Sequence, residues 1–290
     1  MAFPGTSFRI LPCLIALCLA MHLSLPVMAA EKGEQGLRTF DEAGLLRMGQ
    51  RLEAAGDYAN ALQFYGEAAE RNPKNPEPWL GMGRIFAAGG APLQATQAFG
   101  EAFSRDPGNG LAARQYARGL LAQEKAADAL AALTQHLKKN GADAELFNLL
   151  GIANDLTLDS AAAEKAYREG LAKTQPGGPW FDALNGNLAL SLAAAGRVSE
   201  AILLLNPNVG DLRARQQNMT PAQSQYRQNL ALVYALSGNP ESAFEVAKSA
   251  LGETEAGRNR EFYARLPSLT DYDRVRAVFL GKLPAPQAPQ

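Results

Sequence analysis

The sequence predicts an all-α fold: a solenoid of about six helical hairpins wound into a right-handed superhelix and closed by a C-terminal helical cap. Three observations predict it. Small and bulky apolar residues recur with a spacing of 34 over most of the chain. Ala dominates the apolar residues while Val, Ile and Thr are sparse, a balance that favours helix over strand. The chain has 290 residues, 47% hydrophobic and 20% charged, too long for one ordinary bundle and apolar enough to bury an extended core.

The first 30 residues read as an export signal. Arg9 and the terminal amine give a short positive region, and the stretch from Ile10 to Leu25 is mostly apolar. Val27-Met28-Ala29 before Ala30, or Met28-Ala29-Ala30 before Glu31, supplies the small residues a signal peptidase needs. The alternative is an uncut anchor, for which the apolar run is short. Lipidation would need a small residue before the modified cysteine, and Pro12 precedes Cys13 while Leu17 precedes Cys18. After cleavage no cysteine remains, so neither a disulfide nor a thiolate metal site is expected.

Repeats one to four occupy residues 40–175. Gly49 and Gly83, Ala61 and Ala95, Tyr65 and Phe99, Ala68 and Ala102, and Pro73 and Pro107 are each 34 apart. The second repeat is the fullest, with Trp79, Met82, Gly83 and Phe86 on one helix and Ala95, Phe99, Ala102 and Pro107 on the next. The third carries Tyr116, Ala117, Leu120, Ala129, Leu133 and His136, and the fourth Phe147, Leu150, Gly151, Ala163 and Tyr167. These residues at this spacing resemble the tetratricopeptide repeat family, whose small residues let paired helices approach while large ones fill the grooves between them. Gly56, Gly90, Gly196 and Gly238 fall in the turns between paired helices, where positive φ is cheap for glycine.

Gln175 to Pro179 breaks the register. Repeats five and six follow over 179–252, with Leu188, Ala189, Leu192, Ala201 and Leu205, then Leu230, Ala231, Tyr234, Ala243 and Ala250. Asn206-Pro207 is expected to cut the second helix of repeat five short, with an insert to Thr220. Residues 253–281 form the cap over the last open apolar face, and 282–290 a disordered Pro-rich tail.

Little in the chain points to catalysis, a metal or a cofactor. Once the signal is removed His136 is the only histidine, and it stands where a packing Ala is expected. Gly81-Met82-Gly83 lies within a helix, so it is no dinucleotide loop. Carboxylates on helix surfaces read as solvated charge. The formal net charge of −1 lacks the basic excess that nucleic acid or an anionic membrane surface recruits. No enzymatic activity and no small-molecule substrate are expected.

A protein partner is. In such hairpins the first helix lines the inner surface. The inner positions are Arg47, Gln50 and Glu53, then Glu77, Leu80 and Arg84, then Arg114, Gln115, Arg118 and Leu121. They continue with Asn148, Leu149, Ile152 and Asp155, then Asn187 and Leu190, then Gln228, Asn229 and Leu232. Arg84, Arg114 and Arg118 could clamp a carboxylate. Gln115, Asn187 and Asn229 share one repeat position, from which amides can hold an extended peptide backbone. Ordinary wet-surface polarity is the competing reading of both groups.

The stretches Asn187-Leu-Ala-Leu-Ser-Leu-Ala-Ala-Ala-Gly196 and Arg227-Gln-Asn-Leu-Ala-Leu-Val-Tyr-Ala-Leu-Ser-Gly238, with the short Ala201-Ile-Leu-Leu-Leu205 helix between, narrow the likeness. Together they resemble TadD proteins of tight-adherence (Flp) pilus machines. That resemblance implies an envelope protein that assists secretin assembly by binding an extended segment of a pilus or secretin component. It implies a periplasmic location with peripheral outer-membrane association, though the poor cysteine contexts depart from the family's lipoproteins. A periplasmic adaptor for another envelope complex, such as cell-wall or polysaccharide synthesis, is the alternative.

Overall fold

The computed structural model describes residues 40–210, 212 and 219–285. The expected export signal, and residues 286–290 of the expected tail, lie outside the described residues. Among the described residues there are fifteen α-helices, one 3-10 turn and no strand. The chain divides into two compact units, one ending at Leu120 and one running from Leu121 onward.

The N-terminal unit holds α1 (Glu42–Ala54), α2 (Tyr58–Arg71), α3 (Glu77–Ala88), α4 (Pro92–Arg105) and nearly all of α5 (Gly110–Ala122). Asp41 and Asp57 start α1 and α2 by accepting from Gly44 N and Asn60 N, which satisfies backbone donors the first turn leaves over. Proline at the first position opens α4, where its missing N–H costs nothing. The hairpins α1–α2 and α3–α4 close tightly, and α2 packs on α3. The reason is the small residue on the first helix of each pair. A Cβ at Gly49 would lie 2.8 Å from the Tyr65 ring, and one at Gly83 would lie 2.6 Å from the Phe99 ring. Tyr65 also touches the next hairpin, where a Cβ on Gly81 would come within 2.4 Å of it.

The C-terminal unit continues with α6 (Ala126–Leu137), α7 (Ala144–Leu156), α8 (Ser160–Leu171), α9 (Phe181–Ala194), α10 (Val198–Val209), α11 (Pro221–Leu236) and α12 (Pro240–Leu251). The pairs α7–α8, α9–α10 and α11–α12 are hairpins, stacked so that α7 meets α9 and α9 meets α11. Gly151 repeats the close approach, with a Cβ there only 2.2 Å from the Tyr167 ring. Thr220 and Gln223 start α11 with a reciprocal capping box.

The turns between paired helices carry a left-handed residue in every repeat. Gly56, Gly90, Gly196 and Gly238 have φ between 71° and 82°. Repeats three and four place Glu124 and Leu158 at this position, each with φ 63°. A side chain there costs roughly 1 kcal/mol, which glycine would avoid.

Three expectations are corrected. First, α10 is not cut short at Asn206-Pro207 but runs through Pro207 to Val209. Pro207 stands in the last turn, and the residue whose carbonyl loses its partner is Leu203, which is 71% exposed, so water replaces the bond. Second, the C-terminal segment is more than a cap. The short helices α13 (Glu253–Arg258) and α14 (Arg260–Arg265) pack on α12, and the 3-10 turn Leu266–Ser268 reaches α11. The last helix, α15 (Asp271–Leu280), instead turns back onto α7 and α9. Third, the start of the expected disordered tail is held: Lys282 Nζ donates to Ala122 O at 3.3 Å, and Arg265 donates to Pro284 O at 2.9 Å.

Candidate functional site

In the N-terminal unit the guanidinium of Arg84 is already engaged. It donates to both oxygens of Glu53, at 2.7 and 2.8 Å, and Tyr65 Oη donates to the same carboxylate at 2.6 Å. Arg84 holds the Glu53 carboxyl below its ordinary range, and burial pushes the Tyr65 hydroxyl above its own. Arg84 therefore ties α3 to α1 as well as facing outward. Arg114, Gln115 and Arg118 lie half-buried along α5. An incoming carboxylate would compete with Glu53 for one of the three cations expected to bind it.

The amides of the C-terminal unit differ from the open row the sequence suggests. Asn187 is 4% exposed and donates to Asn148, itself 5% exposed, at 2.8 Å. Asn229 is buried, accepts from Gln225 at 3.1 Å, and lies against Gly186. Gln228 is half-buried and donates to Ser224 Oγ at 3.3 Å. A second buried set joins the same helices: Tyr226 donates to Asp182 at 2.8 Å, and Asn185 donates to the Tyr226 hydroxyl at 3.3 Å. Asn187 with Asn148 and Asn185 with Tyr226 bond helix to helix across the stack, while Asn229 and Gln228 bond within α11. Every residue from Asn148 to Leu156 and from Leu184 to Ala193 is buried, so α7 and α9 are enclosed on all sides.

At the inner ends of these helices lies Asp155. Its carboxylate accepts from Tyr167 Oη at 2.8 Å and from Ser191 Oγ at 2.6 Å. Burial pushes its carboxyl up to about 7, against the two hydroxyl donors that favour the charged form. Beside it is a cavity of about 320 Å³, lined by Asp155, Leu158 and Ser160, by the end of α9 from Ser191 to Gly196, and by Asp271, Arg274 and Val275 of α15. Among the described residues no group of three or more His, Cys, Asp or Glu side chains is gathered to hold a metal. None of the described helices is long and apolar enough to cross a membrane. His136 is buried in α6.

Sequence reasoning missed the contacts that fasten α15. Arg276 Nε donates to Glu124 at 2.6 Å, and Lys282 Nζ donates to the other Glu124 oxygen at 2.9 Å. Arg276 and then Lys282 hold that carboxyl down to about 2. The repeat register carried the signal, because it puts Glu124 and Leu158 where other turns have glycine. The scattering of the polar residues of α7 and α9 around the helices was a second signal, since a helix wetted on one side would gather them on one face.

Residues 42–85 and 115–179 each match a family model described as tetratricopeptide repeat. No curated protein matches the chain. Among solved structures, MamA 41-end from Desulfovibrio magneticus RS-1 aligns with a TM-score of 0.50 at 23% identity, covering 58% of this chain and 93% of that one. A chain of the APC/C hetero-tetramer Cut9-Hcn1 aligns with a TM-score of 0.53 at 19% identity, covering 82% of this chain but only 45% of its own length. Likeness at these identities is likeness of fold: stacked tetratricopeptide-type hairpins.

Proposed function

We propose that the protein is a non-enzymatic scaffold, exported to the bacterial envelope, that binds other proteins and assists assembly of a tight-adherence pilus or its secretin. The observation that carries the binding role is the hairpin array itself, matched by the tetratricopeptide family over two stretches. Such an array presents a long contact surface built from neighbouring hairpins. The narrower assignment rests on the residues from Asn187 to Gly196 and Arg227 to Gly238, which resemble TadD proteins. Export rests on residues 1–30.

The structure modifies the proposed mode of binding. Asn187 donates to Asn148 and both are buried, which leaves an extended peptide little access to them. The half-buried face of α5, with Arg114, Gln115 and Arg118, is the better starting point for a peptide contact. The protein, purified and used as bait in envelope extracts, should capture a secretin or pilus component identified by mass spectrometry. Substituting Gln115→Ala with Arg118→Ala should weaken that capture. Recovery of cell-wall or polysaccharide synthesis enzymes instead would move the protein to a different envelope complex, and recovery of no specific partner would defeat the scaffold reading.

A further inference from the structure

We propose that the inner ends of α7 and α9 form a docking surface for an amphipathic helix of a partner protein, and that α15 is the chain's own displaceable occupant of that surface. The inference rests on the scaffold reading and deepens it by naming the class of partner.

Three independent features carry it. The first is covalent geometry. Two of the six turns between paired helices keep a non-glycine residue at φ 63°, and they are the turns α15 reaches. Glu124 receives Arg276 and Lys282, and Leu158 borders the cavity beneath α15. A strained residue is retained where its side chain has a task, and the task of Glu124 is to receive Arg276 of α15 and Lys282 just beyond it.

The second feature is the way α15 is held. It is ten residues long and meets α7 and α9 through Val275, Ala277, Val278 and Phe279, all buried. A cleft of about 320 Å³, partly open to solvent, lies beside it, and Arg274 Nε is buried without a hydrogen-bond partner while Nη1 and Nη2 donate to Asp271 and to Leu269 O. A fully packed interface leaves neither an open cleft nor an orphaned donor atom. The clasp is partly exposed: the side chains of Arg276, Lys282 and Glu124 are 20%, 44% and 28% accessible. Ion pairs with this exposure hold weakly.

The third feature is the chemistry displayed. With α15 lifted, the surface offers the ends of α7 and α9 and the turns after them, apolar at Leu158, Ala194 and Ala195 and polar at Asp155 and Ser191, beside the Glu124 carboxylate. A fitting ligand is a helix with aliphatic or aromatic residues at the spacing of Val275, Val278 and Phe279, and with basic groups at the spacing of Arg276 and Lys282. α15 is the template for it.

The test uses the purified protein and a fluorescein-labelled peptide of residues 269–285. Reversing the clasp on the chain (Arg276→Glu with Lys282→Glu) leaves Glu124 free to receive the peptide. Fluorescence anisotropy should show the peptide binding this variant at least tenfold more tightly than the unaltered protein. Adding Glu124→Arg should abolish the gain, because the reversed pairs re-form within the chain and the peptide's cations meet a like charge. Hydrogen exchange should show residues 271–280 losing protection while α8 keeps its own. Equal peptide binding to both chains, or none to the variant, overturns the proposal. So does unfolding of the whole array in this variant or in the milder Arg276→Gln, because α15 would then be part of the core. If the unaltered protein captures an envelope partner and the variant captures no more, displacement fails while the scaffold function stands.

Discussion

Gly151 shows how much of this fold depends on one missing methyl group. The Tyr167 ring lies where its Cβ would be, and Tyr167 is fully buried with its hydroxyl on Asp155. Gly151→Ala should therefore cost about 1–3 kcal/mol in urea denaturation, the usual cost of overpacking a filled core. Gly66→Ala is the control: nothing lies within 4 Å of a Cβ there, and the residue is inside α2. It should stabilise by about 0.5–1 kcal/mol, because alanine favours helix. Asp155 makes the second residue-scale prediction. Its folded carboxyl is pushed up to about 7, well above the ordinary aspartate range. The folded chain therefore binds this proton more tightly than the unfolded chain does. The stabilisation is fully present below about pH 4 and is lost as pH rises towards 7. Stability curves of the protein and of Asp155→Asn, measured by chemical denaturation from pH 4 to 8, should diverge by a few kcal/mol over that window. Asn keeps the hydrogen-bonding shape without the charge, so the variant should gain relative to the parent at neutral pH. Parallel curves would show that the carboxylate is solvated and unshifted. Glu53, Glu124 and Glu164 are shifted downward and are common to both chains, so the difference isolates Asp155.

Whole helices depend on residues that belong to none of the repeat positions. Arg227 is 1% exposed; its Nε donates to Val209 O at the end of α10 and its Nη1 to Ser249 O near the end of α12. A cation placed at two helix C-termini satisfies carbonyls that the helices leave over and offsets their negative poles. Arg227→Met should cost about 3 kcal/mol, the scale of removing one partner of a buried charged network. Hydrogen exchange should locate the loss at the ends of α10 and α12 first. This arginine also shows what a repeat pattern reveals and what it hides. The 34-residue spacing located the hairpins α1–α2, α3–α4 and α7–α8, because small and large residues must alternate wherever Gly49 meets Tyr65 or Gly83 meets Phe99. It misjudged Pro207, because a proline stops a helix only where the lost bond cannot be replaced, and exposure at Leu203 is a tertiary fact. It assigned Asn148 and Asn187 to the inner face but could not say what would lie there. The covering helix α15 has no counterpart in the repeat, and its contacts with α7 and with Glu124 join residues far apart in sequence.

At the scale of the molecule, each hairpin is stabilised by its neighbours, so a defect should stay local. The two compact units test this, because each encloses its own buried residues: Tyr65, Phe99 and Ala102 before Leu120, and Tyr167, Leu188 and Leu230 after Leu121. Gly83→Leu would force a branched side chain into the Phe99 ring, since even a Cβ there lies 2.6 Å away. In a nearest-neighbour array the loss falls on α3 and α4 and on the hairpin beside them. Hydrogen exchange of the variant should show α2 to α4 losing protection by at least tenfold, while α7, α8 and α12 exchange as in the parent. Urea unfolding followed by circular dichroism should broaden or split, because the weakened unit melts first while the other persists. A single transition that moves to lower urea with unchanged steepness, together with a uniform loss of protection, would mean that the chain folds as one cooperative body. The same comparison run on Gly151→Ala should give the mirror image, with α7 and α8 exposed and α3 and α4 protected, so that the position of the defect alone selects which unit yields.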